Sequence, residues 1–197
     1  MTQIALIRHG STAWNKEKRS QGQTDNPLDQ DGREQAVLLA ARLSEESWDA
    51  IYASDLERAS ETARIIGDRL GIQEIHLDPR LREMSGGQVE GTTQEERIAK
   101  WGVDWSKQDL GQELAEAGTV RGSAALEDMV RQHPNGRVIV VSHGAVLRNT
   151  LRGLVPELDI SMKLSNTSIT RISKIEQAWQ CELYNCSVHL DAPKDSL

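Results

Sequence analysis

Gln3-Ile4-Ala5-Leu6-Ile7-Arg8-His9-Gly10 is an apolar run of strand length that stops at a glycine. A second stretch closes the same way, Arg137-Val138-Ile139-Val140-Val141-Ser142 followed by His143-Gly144. Continuous apolar runs, rather than alternating ones, suit strands covered on both faces, as in a parallel sheet. Around them, strand and helix patterns alternate. A polar loop through Asn26-Pro27 leads to a helical stripe of Ala36, Leu39, Ala40 and Leu43, with Asp31 and Glu34 at capping-box spacing. Trp48 to Ala53 reads as a strand. Ser54-Asp55-Leu56-Glu57 has capping-box form and starts a helix at about Asp55 that stops at Gly71.

Glu74 to Leu77 is a short strand, and Pro79 to Gly91 a glycine-bearing loop. Thr92 to Trp101, Gln112 to His133 and Val146 to Leu154 read as helices, the second weakened by Gly118 and Gly122. Strands at Ser168 to Ser173 and Ala178 to Tyr184 can pair as a hairpin, so at least one is antiparallel. The expected fold is an α/β three-layer sandwich: a mainly parallel central sheet with at least one antiparallel strand and helices on both faces. It forms one domain over residues 1–197, with 191–197 a polar, mobile tail.

No apolar run approaches the roughly 18 residues of a membrane span, and the N-terminus lacks the form of a signal peptide, so a cytoplasmic protein is expected. A net charge of −7 argues against nucleic-acid or membrane-surface partners. Cys181 and Cys186 are too few for a disulfide framework and read as buried free thiols on opposite faces of one strand. No cluster has metal-ligand spacing, so neither metal nor cofactor is expected.

In a parallel sheet the C-terminal strand ends share one edge, and ligands bind in the crevice outside it. His9 and His143 leave two such ends, with Arg8 beside the first. Arg58 falls in the first turn of the helix after the strand ending at Ser54, within reach of the same crevice. The glycines after the two histidines open backbone N–H groups to a ligand. In an acidic protein, such a gathering of guanidiniums, imidazoles and backbone donors suits a dianionic phosphate. A single histidine or arginine at a strand end is ordinarily structural; the conjunction at three exits is the signal. His76 and His133 lack this context and read as structural or surface residues, and His189 is left open.

Leu6-Ile7-Arg8-His9-Gly10-Ser11-Thr12-Ala13-Trp14-Asn15 resembles the signature of the histidine phosphatase superfamily. The resemblance continues at Gln21 to Leu28, Ser54 to Ala59, Leu81-Arg82-Glu83, Glu90-Gly91 and Val140 to Gly144, in the family's order. It implies a metal-independent phosphomonoesterase acting on a small phosphorylated metabolite, with His9 as the nucleophile that becomes phosphohistidine. Arg8, Arg58 and His143 hold the phosphoryl oxygens, Glu83 is the general acid and base, and Asn15 and Gln21 also contact phosphate or substrate; the open backbone at Gly144 adds it to the expected phosphate-binding set. Flanking arginines are expected to depress the pKa of His9. Met84 to Gly91 lacks aromatics common in the family, which suggests a wider pocket.

A cofactor-dependent phosphoglycerate mutase is the nearest rival. Such mutases usually carry an arginine-rich insertion after the acid loop, whereas Thr92 to Gly111 holds only Arg97, Lys100 and Lys107. A non-catalytic phospholigand binder on the same fold is the other alternative. The variable stretch 90–111 is expected to border the pocket, with Trp101 and Trp105 as pocket wall or core. Substrate and oligomeric state stay open, a homo-oligomer included.

Overall fold

The computed structural model describes residues 1–191; the expected mobile tail, Asp191 apart, lies outside the described residues. The strands are β1 (Thr2–Arg8), β2 (Ala50–Ala53), β3 (Ile75–Leu77), β4 (Arg137–Ser142), β5 (Ile169–Ile175) and β6 (Ala178–Cys186). The helices are α1 (Ala13–Lys16), α2 (Gln30–Leu43), α3 (Glu57–Leu70), α4 (Gln94–Trp101), α5 (Ala115–Gln132) and α6 (Gly144–Leu154). The strands form one sheet in the order β3-β2-β4-β1-β5-β6. β1 to β4 run parallel, β5 lies antiparallel to β1, and β6 pairs antiparallel with β5.

Strand alternation divides the core in two. Ile4, Leu6, Val138 and Val140 pack with Leu126, Met129, Leu147 and Leu151 of α5 and α6. Ala5, Ile7, Ile139 and Val141 pack with Leu39, Leu43, Ala63 and Ile66 of α2 and α3. This is the expected sandwich. The central strands are apolar throughout their middles, Ile4 to Ile7 and Val138 to Val141, because both faces are covered.

Register places the site. Arg8 lies opposite Ser142, so His9 and His143 leave the sheet side by side, and the His9 N–H donates to Ser142 O at 3.0 Å. Ala53 lies opposite Val141, which brings the β2 exit to the same edge.

Several local expectations are corrected. The α2 cap is Asp29, whose side chain accepts from Gly32 N, and not Asp31. α3 begins at Glu57 rather than Asp55. Ser54 Oγ accepts only the Leu56 N–H at 3.3 Å, while Asp25, from a distant loop, accepts the Glu57 N–H at 2.7 Å. The long helix starts at Ala115, not Gln112, and a short helix at Ala13–Lys16 had no apolar period to reveal it. The glycines expected to weaken α5 let it approach its neighbours: a Cβ at Gly122 would stand 2.0 Å from Thr150 Oγ1 on α6. Both cysteines are free but half-buried, not buried. Cys181 packs against the α5–α6 core, and Cys186 accepts a hydrogen bond from Arg42 of α2.

Candidate active site

His9 and His143 are both buried, with ring centroids 5.1 Å apart. The His9 Nδ1–H donates to Gly10 O at 2.7 Å. A carbonyl can only accept, so the neutral ring carries its proton on Nδ1 and keeps the Nε2 lone pair. Burial first, then the charges of Arg58 and Arg8, hold His9 well below the ordinary histidine value. The sequence reading credited the arginines; desolvation is the larger cause, because an imidazolium inside the protein loses its water. His143 is depressed in the same way, chiefly by burial.

Arg58 is fully buried on the first turn of α3, donating to Thr24 O at 2.9 Å and Gly22 O at 2.8 Å. Desolvation lowers it to about 10 against the opposing pull of Glu83, so it stays charged at neutral pH. Arg8 is braced by Leu164 O at 2.6 Å. Both ring nitrogens of His143 and the Nε atoms of Arg8 and Arg58 are buried without a hydrogen-bond partner among the described residues. Leaving such groups unmet costs about 1–3 kcal/mol each, so their concentration around one imidazole marks a place for an oxyanion.

Glu83 lies against the N-terminus of α6. Its Oε1 accepts from Met84 N and Val146 N at 2.9 Å each, and its Oε2 accepts from Ala145 N at 3.1 Å. With two bonds on Oε1 and one on Oε2, Oε2 has the spare lone pair that can carry a proton toward a ligand. Asn15 forms a capping box with Thr12 through Oδ1, leaving its amide nitrogen for another partner.

These groups line a cavity of about 420 Å³ that includes Arg8, His9, Asn15, Gln21, Arg58 and Glu83. His143 and Gly144 are not on its wall. The glycine argument is corrected. A Cβ at Gly144 would meet Arg8 Nε at an ordinary 3.5 Å, so space does not demand glycine there. At Gly10 it would meet Gly32 O at 2.5 Å, so that glycine serves the seating of α2 and not a ligand.

Three features escaped the sequence. Asn166 Nδ2 donates to His9 O at 2.9 Å, and Thr167 N to Arg8 O at 2.9 Å, so the loop before β5 braces the nucleophile strand. Thr167 adopts φ 55°, a strained conformation for a β-branched residue. Its hydroxyl meets buried His189 at 3.2 Å, a structural place for the histidine left open. Second, Glu90 Oε1 accepts from Gln23 N and Gly86 N, and Oε2 from Thr24 N and Thr24 Oγ1. One carboxylate thus ties the loop that holds Arg58 to the loop that carries Glu83. Third, Arg97 lines the cavity, visible beforehand only as a member of a variable stretch; of the two tryptophans expected as pocket wall or core, Trp105 lines the cavity and Trp101 does not. Of the remaining histidines, His133 bonds Tyr52 Oη at 3.0 Å and His76 stacks on the same ring, both structural.

The result is an α/β protein that holds a tetrahedral anion's worth of donors against a neutral, oriented imidazole. The chain belongs to the histidine phosphatase superfamily (branch 1), whose model matches residues 4–187. It is 39% identical to a probable phosphoglycerate mutase GpmB of Enterobacter sp. (strain 638), over 98% of this chain and 97% of that protein. A phosphoserine phosphatase from Entamoeba histolytica, solved with 3-phosphoglyceric acid, has a TM-score of 0.81 and 31% identity, covering 96% of this chain and 100% of that one. Bacillus stearothermophilus YhfR has a TM-score of 0.87 and 29% identity over 96% and 100%. No helix among the described residues is long and apolar enough to cross a membrane.

Proposed function

We propose that this chain is a phosphomonoesterase that hydrolyses a small phosphorylated metabolite through phosphohistidine on His9, without a metal ion. The observation that carries this reading is the set of partnerless buried polar atoms of Arg8, Arg58 and His143 around an imidazole with a bare Nε2. Nε2 attacks phosphorus as the ester P–O bond breaks. Arg8, Arg58 and His143 hydrogen-bond the equatorial oxygens, whose charge they stabilise most in the transition state. Glu83 Oε2 gives its proton to the leaving oxygen. It then takes one from the water that attacks the N–P bond, releasing phosphate and restoring His9. Glu83 thus gives one proton and recovers one in each cycle.

Glu83→Gln lowers kcat by about 10²–10⁴-fold while inhibition by inorganic phosphate is retained, because the proton is lost and the oxyanion donors are not. An unchanged kcat removes Glu83 from the mechanism. Since burial and the arginines depress His9, kcat/KM stays level as pH falls through 6.5, once the substrate's own phosphate ionisation near pH 6 is factored out. A fall centred at 6.5 that follows the enzyme and not the substrate contradicts a desolvated nucleophile.

The mutase alternative is favoured by one specific observation, the name carried by the 39% identical relative. Against it, Arg97 is the only arginine between Thr92 and Gly111. A small-metabolite partner rather than nucleic acid or membrane, and a cytoplasmic location, accompany the phosphatase reading. The net charge of −7 supports the first. The deciding experiment incubates the protein with a panel of phosphoesters, with and without chelator. Phosphate release insensitive to chelator supports the proposal. Isomerisation of 3-phosphoglycerate without phosphate release overturns it in favour of a mutase, and neither activity favours a binder.

A further inference from the structure

Residues 83–86 belong to neither helix nor strand, so no regular hydrogen-bond ladder sets the place of Glu83. One ion pair outside the phosphate site takes over much of that task. Arg121, partly buried on α5, donates through one Nη to Arg80 O at 2.7 Å and Arg82 O at 2.6 Å, and through the other to Glu83 O at 3.1 Å. Glu83 O receives a further bond from Gln23 Nε2 at 3.1 Å. Glu113, just before α5, accepts from Arg121 Nε at 2.7 Å and from an Nη at 3.0 Å. It also meets Ser85 twice, its Oε2 accepting from Ser85 N at 3.0 Å and its N–H donating to Ser85 O at 2.9 Å. The pair therefore grips the chain on both sides of Glu83, at Arg82 and at Ser85.

Neither partner is placed to act on a ligand itself. Arg121 is not on the cavity wall. Glu113 is, but both its oxygens are engaged, and the Arg121 guanidinium holds its carboxyl below the ordinary value. We propose that the Arg121–Glu113 pair positions the general acid. The amides of Ala145 and Val146 fix the Glu83 carboxylate, and the pair fixes the peptide from which it hangs. A planar guanidinium with five fixed donors suits this role, because it can splint several carbonyls at once. Proton transfer needs donor and acceptor within about 2.6–3.2 Å, so a shift of about 1 Å in that peptide removes it. This role rests on the phosphatase reading and adds two positioning residues to it.

The test compares p-nitrophenyl phosphate, whose phenolate leaves unaided, with benzyl phosphate, whose alkoxide needs a proton. The quantity read is kcat/KM, which reports transfer to His9 and not the later attack of water. Arg121→Gln lowers it for benzyl phosphate by about 10²-fold and for p-nitrophenyl phosphate by less than about threefold. A folding defect, or an effect through His143, whose pKa Arg121 also depresses, would fall on both esters alike. Glu83→Gln gives the same selective loss, and adding Arg121→Gln to it costs less than about threefold more, since an absent acid cannot be misplaced. Glu113→Gln keeps the shape of the pair and removes its charge, so it shows a smaller loss of the same selectivity and serves if Arg121→Gln does not fold. Equal losses on the two esters, or a full further loss in the double variant, overturn the positioning role while leaving the phosphatase standing. So does a wild-type protein that hydrolyses p-nitrophenyl phosphate but not benzyl phosphate, for it has no working proton donor to position. If neither of these nor any panel ester is hydrolysed, the phosphatase reading falls and takes the positioning role with it.

Discussion

His9→Ala abolishes turnover, lowering kcat by at least about 10⁴-fold, because no other group can accept the phosphoryl unit. Among the described residues His143 is the only other imidazole at the site, and it is itself buried with its pKa depressed. It stands 5.1 Å from His9, ring centroid to centroid, just past the end of the parallel strand. The fold should survive, since the ring makes one side-chain hydrogen bond, to the adjacent Gly10 carbonyl. Rapid quenching with a labelled phosphoester checks both points. The wild-type protein carries base-stable, acid-labile phosphate, and the variant, unfolding at a similar temperature, carries none. Turnover retained by the variant would remove the covalent route entirely.

Arg58→Ala damages stability and catalysis together. The side chain is fully buried and satisfies the carbonyls of Gly22 and Thr24. Removing it strands Gly22 O, at about 1–3 kcal/mol, leaves Thr24 O only a long bond from Asn26 Nδ2, and opens a void besides. The same loop supplies Gln21 to the cavity and is tied through Glu90 to the Glu83 loop, so its loosening reaches both ends of the site. Loss of a transition-state arginine alone is worth about 10³–10⁵ in kcat. Arg58→Lys keeps the charge but not the fork that spans two carbonyls, and should recover little of either. Denaturant unfolding paired with kcat/KM checks the prediction. Arg58→Ala with normal stability, or with kcat within tenfold of the wild type, rules out the double role.

What could be read from residues alone followed from local physics. β1 and β4 announced themselves because burial on two faces leaves no polar position in the run. The strand-exit histidines and Arg58 followed, since position along a parallel strand dictates which edge a residue reaches. The helix starts failed where the cap comes from elsewhere. Asp25 serves α3 from 32 residues away, and no spacing rule within the helix contains it. Glu90 was visible as a motif residue, but its task consists of bonds to Gln23, Thr24 and Gly86 that only the folded loops create. Asn166 and Thr167 gave no signal, because a loop residue that bonds a distant carbonyl looks like any other polar residue.

The place of β1 in the sheet has a consequence for biosynthesis. β1, the earliest of the described strands, is an inner one, flanked by β4 on one side and β5 on the other, with the carbonyls of Arg8 and His9 gripped by Thr167 and Asn166. The segment that ends in the future nucleophile therefore stays unpaired until β4 has been made, and gains its second neighbour only with β5. Competence of the site therefore waits on strands made late in synthesis.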